Sequence, residues 1–446
     1  MRAFLTGLFL GAVFLAESLP ATAQVRLLDA HVGAVNARTV ATPAFDFDTV
    51  SWRPAVEMDG QLFPAYVLAT ATAKLYDPKD EDPHWLGDQN GMIGVRIANP
   101  GSRTRVRLEV NLPRLTEGLS VYEGFLDEAG TEYFVFPHLN YDYDLLPQLL
   151  QPRPATATFT LYLNGQRVGQ QTKTFQVRAI TDCPYAFTNL FGEDEDVSWM
   201  FAGYVNENHP DVDVLLGEAL GTGLVSAIDG YQTGNPDDVY KQVFALWTAL
   251  HQRGLRYSSG TRPSGGDQNV LSQTVRPMGQ ALRLSQANCV DGTVLMASVL
   301  RRIELDPFLI LVPGHCFLGF YLDKAHKTFD VLETTLLGEP VKGTSSRKLA
   351  KVYGQWFGNN PRHLASWKAF SAAIDDANAT YDEYKKKLED ENNPDLSCQI
   401  IDVDECRKTG VMPISQPLRI PALQISPATA TNHTAEKPDA VASQPE

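Results

Sequence analysis

Residues 286–322 read QANCVDGTVLMASVLRRIELDPFLILVPGHCFLGFYL, and this run sets the expectations for the rest of the chain. Asn288 is a favoured helix cap, and Asp291 stands where a capping acid reaches back to it. That spacing predicts Cys289 in the first turn of a helix. There the unsatisfied backbone N–H groups and the helix dipole favour a thiolate over a thiol. Val294, Leu295, Val299 and Leu300 give the helix a buried side, and Arg301 and Arg302 suit its negative end. Three strand-like runs follow at 308–312, 315–322 and 328–335, with a turn around 323–327.

His315 opens the second of these runs and Glu333 falls late in the third. If the two strands pair antiparallel about position 324, His315 faces Glu333. A slip of one residue would turn Glu333 to the other face, so Asp330, which has the opposite parity, is its rival. A lone cysteine is ordinarily a small core residue, and a lone histidine is ordinarily structural. A cysteine on a helix, a histidine on a strand and an acid on the next strand together supply nucleophile, base and orienter. The backbone N–H of Cys289 adds a donor for an oxyanion.

Upstream, residues 24–180 read as all-β. Val106, Leu108, Val110 and Leu112 alternate with polar residues, as do Ala157, Phe159, Leu161 and Leu163. Asn164-Gly165 predicts a tight hairpin into 168–177, because both residues tolerate a positive φ. Segments 65–76 and 92–98 are expected to be further strands, and an immunoglobulin-like β-sandwich without a cross-sheet disulfide is the expected arrangement. Asn235-Pro236-Asp237-Asp238 then signals a helix start, with Val239, Val243, Leu246, Trp247 and Leu250 on one face and Gly254 as the stop. Residues 257–284 show no clear period and read as a long loop. A helix after Leu364 carries Trp367, Phe370, Ile374, Tyr381 and Tyr384 on one side, and 398–403 reads as an edge strand. From 415 the chain is rich in Pro, Ala and Thr and is expected to be disordered. The domain expectation is therefore a signal peptide at 1–23, a β-domain at 24–182, an α+β cysteine domain at 183–414 and a tail at 415–446.

Met1-Arg2, an apolar run from 3 to 16 and Ala21-Thr22-Ala23 have the form of a cleaved export signal, which points to a periplasmic or secreted protein with no membrane insertion after its removal. The formal charge of −15 argues against nucleic acid or an anionic membrane as main partner. Five cysteines, at 183, 289, 316, 398 and 406, leave at least one thiol unpaired in a monomer. If Cys289 is free, three pairings of the others are open, of which a local Cys398–Cys406 bridge is the simplest. No cofactor or metal is expected, since a site built from Cys289, His315 and Cys316 lacks the paired C-x-x-C spacing of structural zinc.

The stretch 286–322, together with Leu332-Glu333-Thr334-Thr335, resembles bacterial transglutaminase-like proteins of the papain-like superfamily. Those proteins share a Cys opening a helix, an Asp two residues on, a Gly-His opening a strand and an acid followed by Thr. The family usually has Asp where this chain has Glu333. The resemblance covers about half of the chain, from about Trp199 to Pro413. It implies an α+β fold with the Cys helix packed on an antiparallel sheet, and acyl transfer by Cys289, His315 and Glu333. The substrate would be a protein, peptide or cell-wall amide, and hydrolysis is expected more than crosslinking. The same superfamily places an oxyanion-hole Gln before the Cys, where Gln273, Gln280 and Gln286 stand. A different class of function is also open: a catalytically idle scaffold used for binding or assembly.

Overall fold

In the computed structural model the described residues are 14–15, 51–75, 82–99, 102–259, 269–339, 354–358, 363–390, 393 and 395–415. These described residues form one compact unit. Of the expected signal segment only Phe14–Leu15 is described, as a two-residue strand, and of the expected tail only Ser415; the remainder of both lies outside the described residues. No helix among the described residues is long and apolar enough to cross a membrane.

The fold is mixed α and β with several sheets, consistent with the α+β expectation. In the N-terminal part, a five-stranded sheet has the order Gln61–Leu62, Gln166–Val177, Arg153–Leu163, Thr104–Asn111, Leu119–Leu126. A four-stranded sheet has the order Ser51–Val56, Ile93–Asn99, Thr131–Phe136, Trp85–Gly87. Alternate residues of both sheets, Val106, Leu108, Phe159 and Leu161 from one and Ile93, Val95 and Ile97 from the other, are buried in a single core. This is the period of two expected of half-buried strands. The Asn164-Gly165 turn takes φ of 50° and 81°, which only such residues adopt cheaply.

Of the strand expected at 65–76, the described residues 65–75 are not a strand. Pro64–Thr70 is a helix with the proline in its first turn, and nearly all of it is buried. Pro presets the helical φ there, and a short apolar run buried on every side shows no period to tell helix from strand. The expected loop at 257–284 also contains regular structure. Val270–Thr274 pairs with Asp182–Thr188, and Met278–Leu284 is a helix, with residues 260–268 outside the described set. Pairing with a distant strand supplies the order that the local pattern does not encode. A helix at Pro210–Gly221 had no forecast from the sequence. The helix Pro236–Gln252 matches its expectation: the Asn235 side chain accepts the Asp237 N–H, and Gly254 follows at φ 75°.

The central sheet orders its strands Phe14–Leu15, Thr328–Leu332, His315–Tyr321, Pro307–Val312, Gln399–Asp402, each antiparallel to its neighbour. The helix Cys289–Arg302 packs on the two middle strands, and the 25-residue helix Leu364–Leu388 packs along Thr328–Leu332. Leu309, Leu311, Cys316, Leu318 and Phe320 join the large core, which extends into the N-terminal sheets. Phe308, Ile310, Phe317 and Tyr321 join a second cluster with Ala377 and Tyr381 of the long helix.

All five cysteines are free, so the Cys398–Cys406 bridge does not form. The strand Gln399–Asp402 lies between them, Cys406 sits within the short helix Val403–Lys408, and Cys398 packs in the smaller core cluster while Cys406 packs in the larger. Nearness in sequence does not bring two Cβ atoms to bridging distance.

Candidate active site

The Cys289 helix starts where the sequence places it. Asn288 Oδ1 accepts the Asp291 N–H at 2.7 Å, and Asp291 Oδ2 accepts the Asn288 N–H at 2.9 Å, a reciprocal capping box. Asp291 is fully buried and also accepts from Arg276, at 2.6 Å from the backbone N–H and 2.9 Å from Nη1. The carboxylate therefore fixes the start of the helix and pins the preceding segment to it. Cys289 itself is half-buried, while the other four thiols are buried.

Two threonines tie this turn to the sheet. The Thr293 hydroxyl donates to the Cys289 carbonyl at 2.7 Å, with the Cys316 carbonyl 3.4 Å away. Thr334 Oγ1 lies 3.5 Å from the Cys289 carbonyl. Gly292 faces that same side chain: a Cβ there would stand 2.7 Å from Thr334 Oγ1. The close approach of helix and sheet thus needs glycine at 292.

His315 begins its strand after Gly314, which takes φ 72°. Its Nε2 lies 2.5 Å from Glu333 Oε2, and its ring stacks near Phe317 with centroids 5.9 Å apart. The Cys289 thiol is near enough to the ring to raise its titration. With Nε2 engaged by the carboxylate, Nδ1 is the nitrogen left for sulfur. Burial pulls the imidazole down, but hydrogen bonds and charge from Cys289 and Glu333 outweigh it, pushing His315 up to about 10. The ring is charged at neutral pH.

Glu333 reaches His315 by a different route from the one expected. The register pairs Leu318 with Leu332 and Phe320 with Asp330, so facing residues sum to twice 325 rather than twice 324. The strand ends at Leu332, and Glu333 caps the 3₁₀ turn Thr334–Leu336. Its parity is as expected, so the side chain reaches diagonally along the face shared by Phe317 and His315. Glu333 Oε1 accepts from the Thr335 N–H at 2.8 Å and the Thr335 hydroxyl at 2.6 Å, leaving Oε2 for the imidazole. The side chain is almost fully buried.

Asp330 goes elsewhere. It is buried, and its Oδ1 accepts from Asn378 Nδ2 at 2.9 Å and from the Val331 N–H at 2.8 Å. Burial pushes it up to about 7. Cys316 is buried in the large core, with its thiol raised by burial, and points away from the His315 face.

Tyr257 was not singled out from the sequence. Residues Arg256–Tyr257 pair in parallel with Gln286–Ala287, just before the Cys helix. Burial raises the Tyr257 phenol, and charges at Cys289 and Glu333 add to the shift, so the ring borders the site. A two-residue strand leaves no periodic signal. Of the glutamines, Gln286 is exposed, Gln280 is half-buried, and Gln273 Nε2 donates to the Thr274 carbonyl. Among the described residues no cluster of His, Cys, Asp and Glu is arranged to hold a metal. Compared with models of known families, with curated proteins and with solved structures, the chain matches none.

Proposed function

We propose that the chain is a cysteine acyl-transfer enzyme acting on amides, with Cys289 as nucleophile, His315 as base and Glu333 as orienter. The observation that carries the reading is the placement of His315, paired with Glu333 at 2.5 Å and close enough to Cys289 for the thiol to raise its titration. The reacting form of the pair is a Cys289 thiolate with the proton on His315. The thiolate attacks the amide carbonyl carbon and a C–S bond forms, while the oxygen takes negative charge facing the Cys289 N–H. His315 then gives its proton to the departing amine as the C–N bond breaks, leaving a thioester. Water attacks the thioester, His315 takes its proton, and carboxylic acid and thiolate are released. Hydrolysis is favoured over crosslinking by the likeness to bacterial peptidases and amidases of the transglutaminase-like group. In the same reading the N-terminal sheets form an immunoglobulin-like sandwich and the C-terminal half a papain-type domain. The protein would act after export, on a protein, peptide or cell-wall amide. Two sheets sharing a core and a Cys helix against an antiparallel sheet support those assignments.

The test is labelling of the folded protein with iodoacetamide at neutral pH, mapped by peptide. Cys289 should take the label, and Cys289→Ala should abolish it, because the remaining thiols are buried. Labelling that continues undiminished in Cys289→Ala would overturn the assignment.

A further inference from the structure

Far from the helix cap in sequence, a cavity of about 380 Å³ opens beside the four-stranded sheet of the N-terminal part. Its lining includes Glu57, Trp85, Phe187, Phe191, Glu193 and Glu195. Glu57 is 6 % exposed. Its Oε2 has no hydrogen-bond partner among the described residues. A buried carboxyl oxygen without a partner is costly, and native proteins seldom leave one without a reason.

The backbone around Glu57 is unusual as well. Met58 and Asp59 both adopt the left-handed conformation, at φ 49° and 54°, and neither is glycine. Such strain is retained where the surroundings enforce it, and it gathers at ligand sites. The Met58 side chain is completely buried, which locks the turn.

The walls complete the chemistry. Trp85 stacks on Phe136, with centroids 4.4 Å apart and planes 2° from parallel, and Phe191 packs 6.2 Å from Trp85. Glu193 and Glu195 both accept from Asn189, at 3.3 and 2.8 Å. Among the described lining residues four are acids and none is basic. Burial, with the nearby Glu195 charge adding to it, pushes the Glu57 carboxyl up to about 8, as for an acid lacking a counter-charge. The acids are not grouped as metal ligands among the described residues. Carboxylates facing a fixed aromatic wall suit a cation with an organic body, which a Trp face attracts through its quadrupole.

We infer that this cavity binds an organic cation, a primary alkylammonium or a guanidinium, with its charge on Glu57 Oε2 and its alkyl stem against Trp85 and Phe191. The ligand is either a free amine or a lysine or arginine side chain of a peptide. The site is separate from Cys289 and stands whether or not Cys289 is catalytic.

Calorimetric titration of the full chain at low ionic strength tests it. The probes are cadaverine, N-acetyl-lysine methylamide, N-acetyl-arginine methylamide and the neutral 1-hexanol. At least one cation should bind saturably in the millimolar range or tighter. Binding should weaken at least tenfold in Glu57→Gln and severalfold in Trp85→Leu, and stay unchanged in Cys289→Ala. Tighter binding of a capped amino acid assigns a peptide side chain, and tighter binding of cadaverine assigns a free amine. If Glu57→Gln melts early, Glu195→Gln carries the same comparison, with a severalfold loss expected. The inference falls if no cation saturates, if hexanol binds as well as the amines, or if the folded Glu variants bind with unchanged affinity.

Discussion

Glu333 and Asp330 stand three residues apart, one at the open end of the central sheet and the other in its interior. Glu333 lies one residue past its strand, where both oxygens find donors and one of those donors is an imidazole. Asp330 lies within the strand, where one oxygen is used and Oδ2 has no partner among the described residues. Both carboxyls are buried. Their difference comes from what faces them: a polar turn with a histidine in one case, the Asn378 amide and the core in the other. The end of a sheet can supply donors that its middle cannot, because the middle has already spent its backbone N–H groups on the ladder.

The strongest way to break this contrast is to neutralise Glu333. Glu333→Gln should lower acylation of Cys289 by a thiol-directed acyl probe about 10²-fold to 10⁴-fold, measured as a second-order rate. The same variant should move the His315 titration down from about 10, read by NMR of the ring protons. A rate within twofold of wild type would remove Glu333 from the mechanism.

Next comes the cap. Asp291→Ala removes the carboxylate partner of the half-buried Arg276 guanidinium and frees two backbone N–H groups. Breaking a buried pair in this way costs about 3–5 kcal/mol, to be read by urea denaturation. Loss of less than about 1 kcal/mol would mean that Arg276 finds water instead.

The smallest expected effect belongs to Asp330. A buried acid raised to about 7 stabilises the fold while protonated and loses that contribution as pH climbs. The folded state binds the extra proton between about pH 4 and 7, so stability should fall across that window. Asp330→Asn should flatten the fall, with a difference of about 1–3 kcal/mol at pH 8, and should leave Cys289 reactivity unchanged. A parallel pH profile for variant and wild type would count against burial as the cause.

The parts of this site that sequence reading recovers are those fixed locally. Asn288 and Asp291 specify the helix start between themselves, and the alternation of Phe317, Leu318 and Phe320 specifies the sheet faces. The Glu333 parity is recovered for the same reason, although the register is off by two. Where the turn closes depends on His326, held at φ 55° and paired to Asp306 at 3.0 Å, and Asp306 lies on the far side of two strands. Tyr257 and Arg276 escape notice because their importance is purely tertiary: each meets the Cys helix through a segment with no period of its own. The helix Pro64–Thr70 escapes for the opposite reason. Burial on all sides erases the stripe that identifies a surface helix.

The placement of Glu333 just after a strand has a consequence for how the three side chains come together. Cys289, His315 and Glu333 span only 45 consecutive residues, counted from 289 to 333. A helix, a hairpin and a single further turn close that span, so assembling the trio requires no distant segment to be captured and its chain-entropy cost is small. Lengthening the exposed turn after Asp323 would leave the geometry of the trio intact, whereas adding one residue inside Thr328–Leu332 would swing the carboxylate to the wrong side of the sheet.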